Sequence, residues 1–176
     1  MFEIDKIENL IMLIQNGQQN ALGELYDICF QQIFQYIYSI VKNKEYAQDL
    51  THDTFIQIYQ NIKLYNQKGN PMSWIVTIAR NITYMSLRKK QRETLVDYQI
   101  ELHDVSIDQI SDKIMIQTML SHLSNEEREI IVLHVIYGFS FHDISHIVEL
   151  KLATVLSKYH RSLKKLKKFY GGKENE

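Results

Sequence analysis

Turn-forming residues are scarce in this chain: one proline and six glycines among 176 residues. That is too few for a many-stranded sheet and favours long helices. A single cysteine, Cys29, excludes a disulfide framework and a cysteine-based zinc site. Lying within an apolar run, it reads as a small buried hydrophobe. No apolar stretch approaches the roughly 20 residues of a membrane span, and Ile130–Tyr137 is broken by His134. The opening MFEIDKIENL is acidic near its start and lacks the cation-then-apolar layout of a signal peptide. No Ser/His/Asp set, phosphate-cradling glycine loop or acid pair stands out, so no catalytic residue and no cofactor are expected. The absences describe an all-α cytoplasmic protein without membrane insertion, long enough for one domain or two small ones.

What is abundant is charge, and it is segregated. The net charge is −1. Residues 1–79 carry −3, residues 80–92 carry +5, residues 93–150 carry −9 and residues 151–168 carry +7. Twelve of the twenty cations therefore sit in two short segments, with an acidic stretch between them. The preference of helix C-termini for cations accounts for a few of these but not for twelve. Two basic elements flanking an acidic one fit two points of contact with one polyanion.

The richest segment is Phe139–Lys168. Ser140 with Asp143 is a capping-box-like start, and Phe141, Ile144, Ile147 and Val148 share one helical face. After Glu149–Lys151 a second period runs through Leu152, Val155, Leu156, Tyr159, Leu163 and Leu166. Its opposite face carries Thr154, Ser157, Lys158, Arg161, Lys164, Lys165 and Lys168. A short helix, a tight turn and a longer helix with hydroxyls early and cations late fit a helix-turn-helix for a DNA major groove. The early residues Lys151, Ala153, Thr154 and Ser157 then face bases, and Lys158, Arg161 and Lys164 face phosphates. A solvated lysine-rich helix is the plainer alternative.

Upstream, periodicity predicts helices over 4–15, 21–41 and 44–64. The aromatics Tyr26, Phe30, Phe34, Tyr36 and Tyr38 are assigned mostly to the core. In the third helix Ala47, Leu50, Thr54, Ile58 and Ile62 face inward, while Gln48, Asp49, His52 and Asp53 face out. Asp49 and Asp53, four residues apart, repel weakly on a bare helix, and a basic partner reverses that cost. After a loop over 64–70, Asn70 caps and Pro71 starts a fourth helix. It runs through the apolar residues Trp74, Ile75, Ile78, Ala79, Ile82 and Met85, and it ends in the basic cluster Arg88–Arg92. Trp74, Asn81, Thr83 and Tyr84 lie among cations, a mixture suited to single-stranded bases, although a tryptophan alone is more commonly core. Residues 94–111 read as an acidic linker. A second helical block starts near Asp112, with Ser124 and Glu127 as a capping box and Gly138 as a stop. Ile114–Leu120 is expected to pack beneath the helix-turn-helix.

His142 and His146, in HDISH, resemble a zinc signature with Asp for Glu. A third ligand is not evident, so no metal site is expected, and a zinc-dependent hydrolase is a distant alternative.

In order and spacing, the stretches A-x-D-L-x-x-D-x-F (from Ala47), W-x-x-x-I-A-R-N (from Trp74) and E-R-E-I-I…G-x-S…D-I (from Glu127) resemble bacterial sigma factors of the extracytoplasmic-function type. The resemblance covers nearly the whole chain. It implies two small helical domains, 1–93 and 112–176, joined by the linker 94–111. The first binds the clamp coiled coil of core RNA polymerase through Asp49, Leu50, Asp53 and Phe55. It opens the minus-ten element through the Leu64–Met72 loop and the following helix, with Asn70, Trp74, Arg80, Asn81, Tyr84, Arg88 and Lys89 on DNA. The second, with the polymerase flap as partner, reads the minus-thirty-five element through Lys151–Arg161 and Lys164. An anti-sigma factor is a further implied partner. The chain departs from the common pattern at His52 (usually Gln), Glu149 (commonly Gly), Lys151 (a Ser-like cap), Leu156 and Lys158 (commonly Lys and Arg). A stand-alone helix-turn-helix regulator is the alternative; it explains 112–168 and leaves 1–93 without a role.

Overall fold

The computed structural model describes residues 4–66, 70–93, 120 and 122–171. These residues form helices and turns without a strand, in two compact units. The expected linker 94–111, the centre of the 64–72 loop and most of the predicted helix at 114–120 lie outside the described residues.

In the first unit α1 (Ile4–Gln15), α2 (Ala21–Val41), α3 (Lys44–Asn61) and α4 (Pro71–Glu93) pack around one core. Ile7, Leu10, Ile11 and Ile14 face inward from α1, and Leu25, Cys29, Ile33 and Ile37 from α2. Ala47, Leu50 and Ile58 complete the core from α3, with Ile75 and Ala79 from α4. The helix starts are local chemistry. The Asn43 side chain accepts from the Tyr46 amide at 2.8 Å, and Asn70 accepts from the Met72 amide at 3.0 Å, each satisfying an orphan donor. A 3-10 turn, Ile62–Leu64, ends α3. Gln15 holds it against α1, donating to the carbonyls of Ile62 (2.8 Å) and Tyr65 (2.9 Å).

The second unit contains α5 (Asn125–Ile131), a π-helical turn (Val132–Ile136), α6 (Phe141–Ile147) and α7 (Leu152–Gly171). Both expected capping boxes are present, Ser124 with Glu127 and Ser140 with Asp143. Gly138 turns the chain at φ +69°, where a left-handed residue is favoured at a helix end. His134 stacks on Phe141 (centroids 4.2 Å apart) and meets Tyr159 edge-on at 5.1 Å. This three-ring cluster joins the π turn, α6 and α7. The turn between α6 and α7 is tight: the Leu150 amide donates to the Ser145 carbonyl (3.0 Å), and Glu149 takes φ +57°.

Two predicted faces are corrected. On α4 Met85 is 68 % exposed, while Met72, Val76 and Thr83 are buried. Thr83 can be buried because its hydroxyl donates to the Ala79 carbonyl at 2.7 Å. On α7 the buried positions are Val155 and Ser162, whereas Leu152 and Leu163 are each 41 % exposed. Ser162 satisfies its hydroxyl on the Lys158 carbonyl (2.8 Å). The leucine stripe is thus rotated away from the contact that the backbone actually makes. The aromatic run of α2 is also less interior than expected: Tyr36 is buried, whereas Tyr26, Phe30, Phe34 and Tyr38 are half-buried. Their rings follow one another at 5.0, 6.1 and 5.9 Å, the first pair tilted and the other two stacked.

Candidate nucleic-acid interface

The outer face of α4 gathers most residues expected there. Trp74, Asn81 and Arg88 recur every seven residues, nearly two helical turns, so they align opposite the buried line of Ile75, Ala79 and Thr83. Asn81, Arg88 and Lys89 are exposed; Trp74, Arg80 and Tyr84 are half-buried. Trp74 is held by Tyr65, ring centroids 5.2 Å apart, and the Arg80 guanidinium lies 4.7 Å above the Tyr84 ring. A guanidinium already resting on an aromatic is pre-oriented, which lowers the entropy lost when it meets a phosphate. Asn70 sits at the start of this helix with its carbonyl oxygen spent as a cap. Met85 belongs to this face as well. Its aliphatic character put it in the core on sequence grounds, and only the phase of the helix shows otherwise.

On α3 Asp49, His52 and Asp53 are exposed along one side. Leu50 (3 % exposed) and Phe55 (6 %) are interior. Phe55 packs on Tyr26 at 4.6 Å, so both side chains support the acidic face from beneath. Ile56, 54 % exposed, continues that face one turn after Asp53. His52 lies over the aromatic series of α2, its Nδ1 3.3 Å from the Tyr26 hydroxyl.

In α7 the expected DNA residues separate. Lys151, Ala153, Ser157, Arg161 and Lys164 are exposed, and Thr154 is half-buried. Lys158 turns instead toward α5, its Nζ 2.7 Å from the Glu126 carboxylate. Lys165 does so too, donating to both oxygens of Glu127 at 2.9 and 2.7 Å. Burial alone raises the Glu127 pKa, but the bonds from Lys165 and from Ser124 outweigh it and hold the carboxyl below its ordinary 4.5. The outer face includes His160, which sequence reasoning missed. Ser157, His160, Arg161 and Lys164 line one shallow hollow.

His142 and His146 are exposed, rings 4.6 Å apart. Among the described residues no group of three or more potential metal ligands comes together, and no helix is long and apolar enough to cross a membrane. Cys29 is fully buried, and desolvation pushes its thiol up to about 12, so it is no nucleophile.

The chain matches two family models, Sigma-70 region 2 over residues 25–93 and Sigma-70 region 4 over residues 113–166. It is 25 % identical to the ECF RNA polymerase sigma factor SigW of Bacillus subtilis, over 92 % of this chain and 95 % of that one. It is also 25 % identical to SigM of the same organism, over 89 % and 99 %. Among solved structures it shares the fold of the sigma factor RpoE in complex with the anti-sigma factor NepR from Bartonella quintana. The TM-score is 0.69 at 22 % identity, covering 85 % of this chain and 96 % of that one. Two separate region models in the right order, with relatives aligned along nearly the full chain, identify one family: the chain belongs to the sigma-70 family of RNA polymerase sigma factors, in its extracytoplasmic-function group.

Proposed function

We propose that this sigma factor docks on core RNA polymerase through the acidic side of α3, opens the minus-ten element with α4 and reads the minus-thirty-five element with α7. The domain assignment is 1–93 for polymerase and minus-ten binding and 112–176 for minus-thirty-five binding, with 94–111 as the acidic strap. The single observation that carries this reading is the line Trp74–Asn81–Arg88 on α4. An aromatic, an amide and a cation at one pitch can stack on, pair with and neutralise one displaced strand. Asp49 and Asp53 provide the polymerase contact, and Leu50 and Phe55 set its shape from below. The protein has no catalytic chemistry of its own and acts in the cytoplasm. Contacts to flipped bases and phosphates offset the few kcal/mol needed to unstack each base.

The cations oriented for DNA are Arg80, Arg88 and Lys89 on α4 and Arg161, Lys164 and Lys168 on α7. About six phosphate contacts give a log–log salt slope near −5. An anti-sigma partner, of the kind seated on RpoE, would act by covering these faces. The test is reconstitution with core RNA polymerase: the protein co-purifies with core and redirects run-off transcription to new start sites. Binding to duplex DNA without any association with core would instead identify a stand-alone helix-turn-helix regulator.

A further inference from the structure

We infer that His160 is a base-reading residue of α7. This rests on the reading above that α7 lies in promoter duplex. On a helix of 3.6 residues per turn, the direction opposite buried Ser162 is the direction most exposed to a groove. Ala153 falls on that line and His160 and Lys164 roughly 20° from it, with Ser157 roughly 40° away. Arg161 lies about 80° to the side and Lys158 about 140° round, toward the protein. The observed contacts agree: Lys158 is engaged by Glu126 at 2.7 Å, while His160 is exposed.

For a helix inserted in a major groove, side chains on the central line meet base edges and those on the flanks meet the phosphates of the groove walls. Arg161 is therefore a wall contact and His160 a floor contact, whereas Lys164, at a similar angle one turn on, reaches phosphate on its flexible four-carbon stem. The His160 ring presents one donor and one acceptor when neutral, matching base edges that offer both kinds of group. It stands between Ser157 and Lys164 over the shallow hollow they share with Arg161. Tyr159 meets its ring edge-on at 5.7 Å, which limits the directions it can take.

The test uses holoenzyme reconstituted with core RNA polymerase and a promoter library randomised through the upstream element, read as relative occupancy. His160→Ala is expected to flatten the preference at one or two adjacent base pairs by at least about fivefold, with other positions and the salt slope unchanged. His160→Gln, which keeps a donor and an acceptor, recovers part of that preference. Arg161→Ala, in contrast, weakens all sequences alike and makes the salt slope shallower. If His160→Ala matches the parent at every position, or weakens all sequences alike, the inference is wrong while the reading of α7 stands. If the parent holoenzyme shows no preference anywhere in the upstream element, that reading itself fails.

Discussion

The two units solve the same problem with different materials. The first buries apolar side chains from four helices, and its polar ties, such as Gln15 on two carbonyls, sit at the margins. The second sets two seven-residue helices beside α7 and leans on polar devices: two capping boxes, a three-ring cluster and a carboxylate held by Lys165. A small unit buries a smaller share of its surface, so individual polar contacts carry more of its stability. The difference also governs the cations. On α4 Arg80 and Lys90 rest on the rings of Tyr84 and Tyr46, whereas Lys158 and Lys165 of α7 pair with the acids that open α5. Basic composition alone therefore overstates what α7 offers to DNA.

The sharpest way to break this contrast is Glu127→Gln. Glutamine preserves the capping-box geometry, so the change isolates the pair with Lys165. Glu127 is nearly buried and Lys165 is half-exposed, so the loss is about 2 kcal/mol, below the figure for a pair buried at both ends. Hydrogen exchange should show it in the second unit and leave the first unchanged. The pH dependence has a definite sign. Because the folded carboxyl titrates below 4.5, its stabilisation is complete above that value and is lost as pH falls through the lower folded value. In Glu127→Gln this part of the acid sensitivity of the second unit disappears.

Next in size is a functional separation within the first unit. Arg80→Ala combined with Arg88→Ala removes two charge-assisted contacts and should slow promoter opening about tenfold or more. Binding to core polymerase, measured by co-purification, should change less than about twofold, a difference worth only some tenths of a kcal/mol. Equal losses in both assays would mean that α4 and the acidic face of α3 are one surface and not two.

Much of this arrangement could be read before any coordinates. Helix limits followed from period and caps, because Asn70, Ser124 and Ser140 act within three residues of themselves. Phase was harder. Hydrophobicity placed Leu152, Leu163 and Met85 inside, yet Ser162 and Thr83 occupy the close contacts because each can return its hydroxyl to a carbonyl one turn back. His160 was missed for the same reason, since its exposure depends on which side of α7 meets α5. The partners chosen by Lys158 and Lys165 are tertiary pairings across 32 and 38 residues, beyond the reach of local pattern.

Glu149→Gly tests the turn of the helix-turn-helix. Glu149 occupies the left-handed region at φ +57°, which costs a side-chain-bearing residue about 1 kcal/mol. Glycine removes that strain but gains freedom in the unfolded chain, so the net gain is a few tenths to about 1 kcal/mol. A denaturant midpoint that rises for the second unit alone is the expected result. A fall would mean that the Glu149 side chain makes a stabilising contact of its own.

The smallest effect is the most discriminating for α7. Glu126→Gln breaks the pair with Lys158, whose acid side chain is 59 % exposed against 4 % for Glu127. Solvent screens such a pair to about 0.5 kcal/mol or less, so unfolding should barely move. What changes is the electrostatics of the helix: one acid disappears beside a basic surface and Lys158 is released from it. Holoenzyme binding to DNA of any sequence should then strengthen by a factor of about two, with the upstream preference unaltered. A loss of stability comparable to that of Glu127→Gln would show that the second unit depends on both pairs equally, and the distinction between an anchoring lysine and a restrained one on α7 would have to be given up.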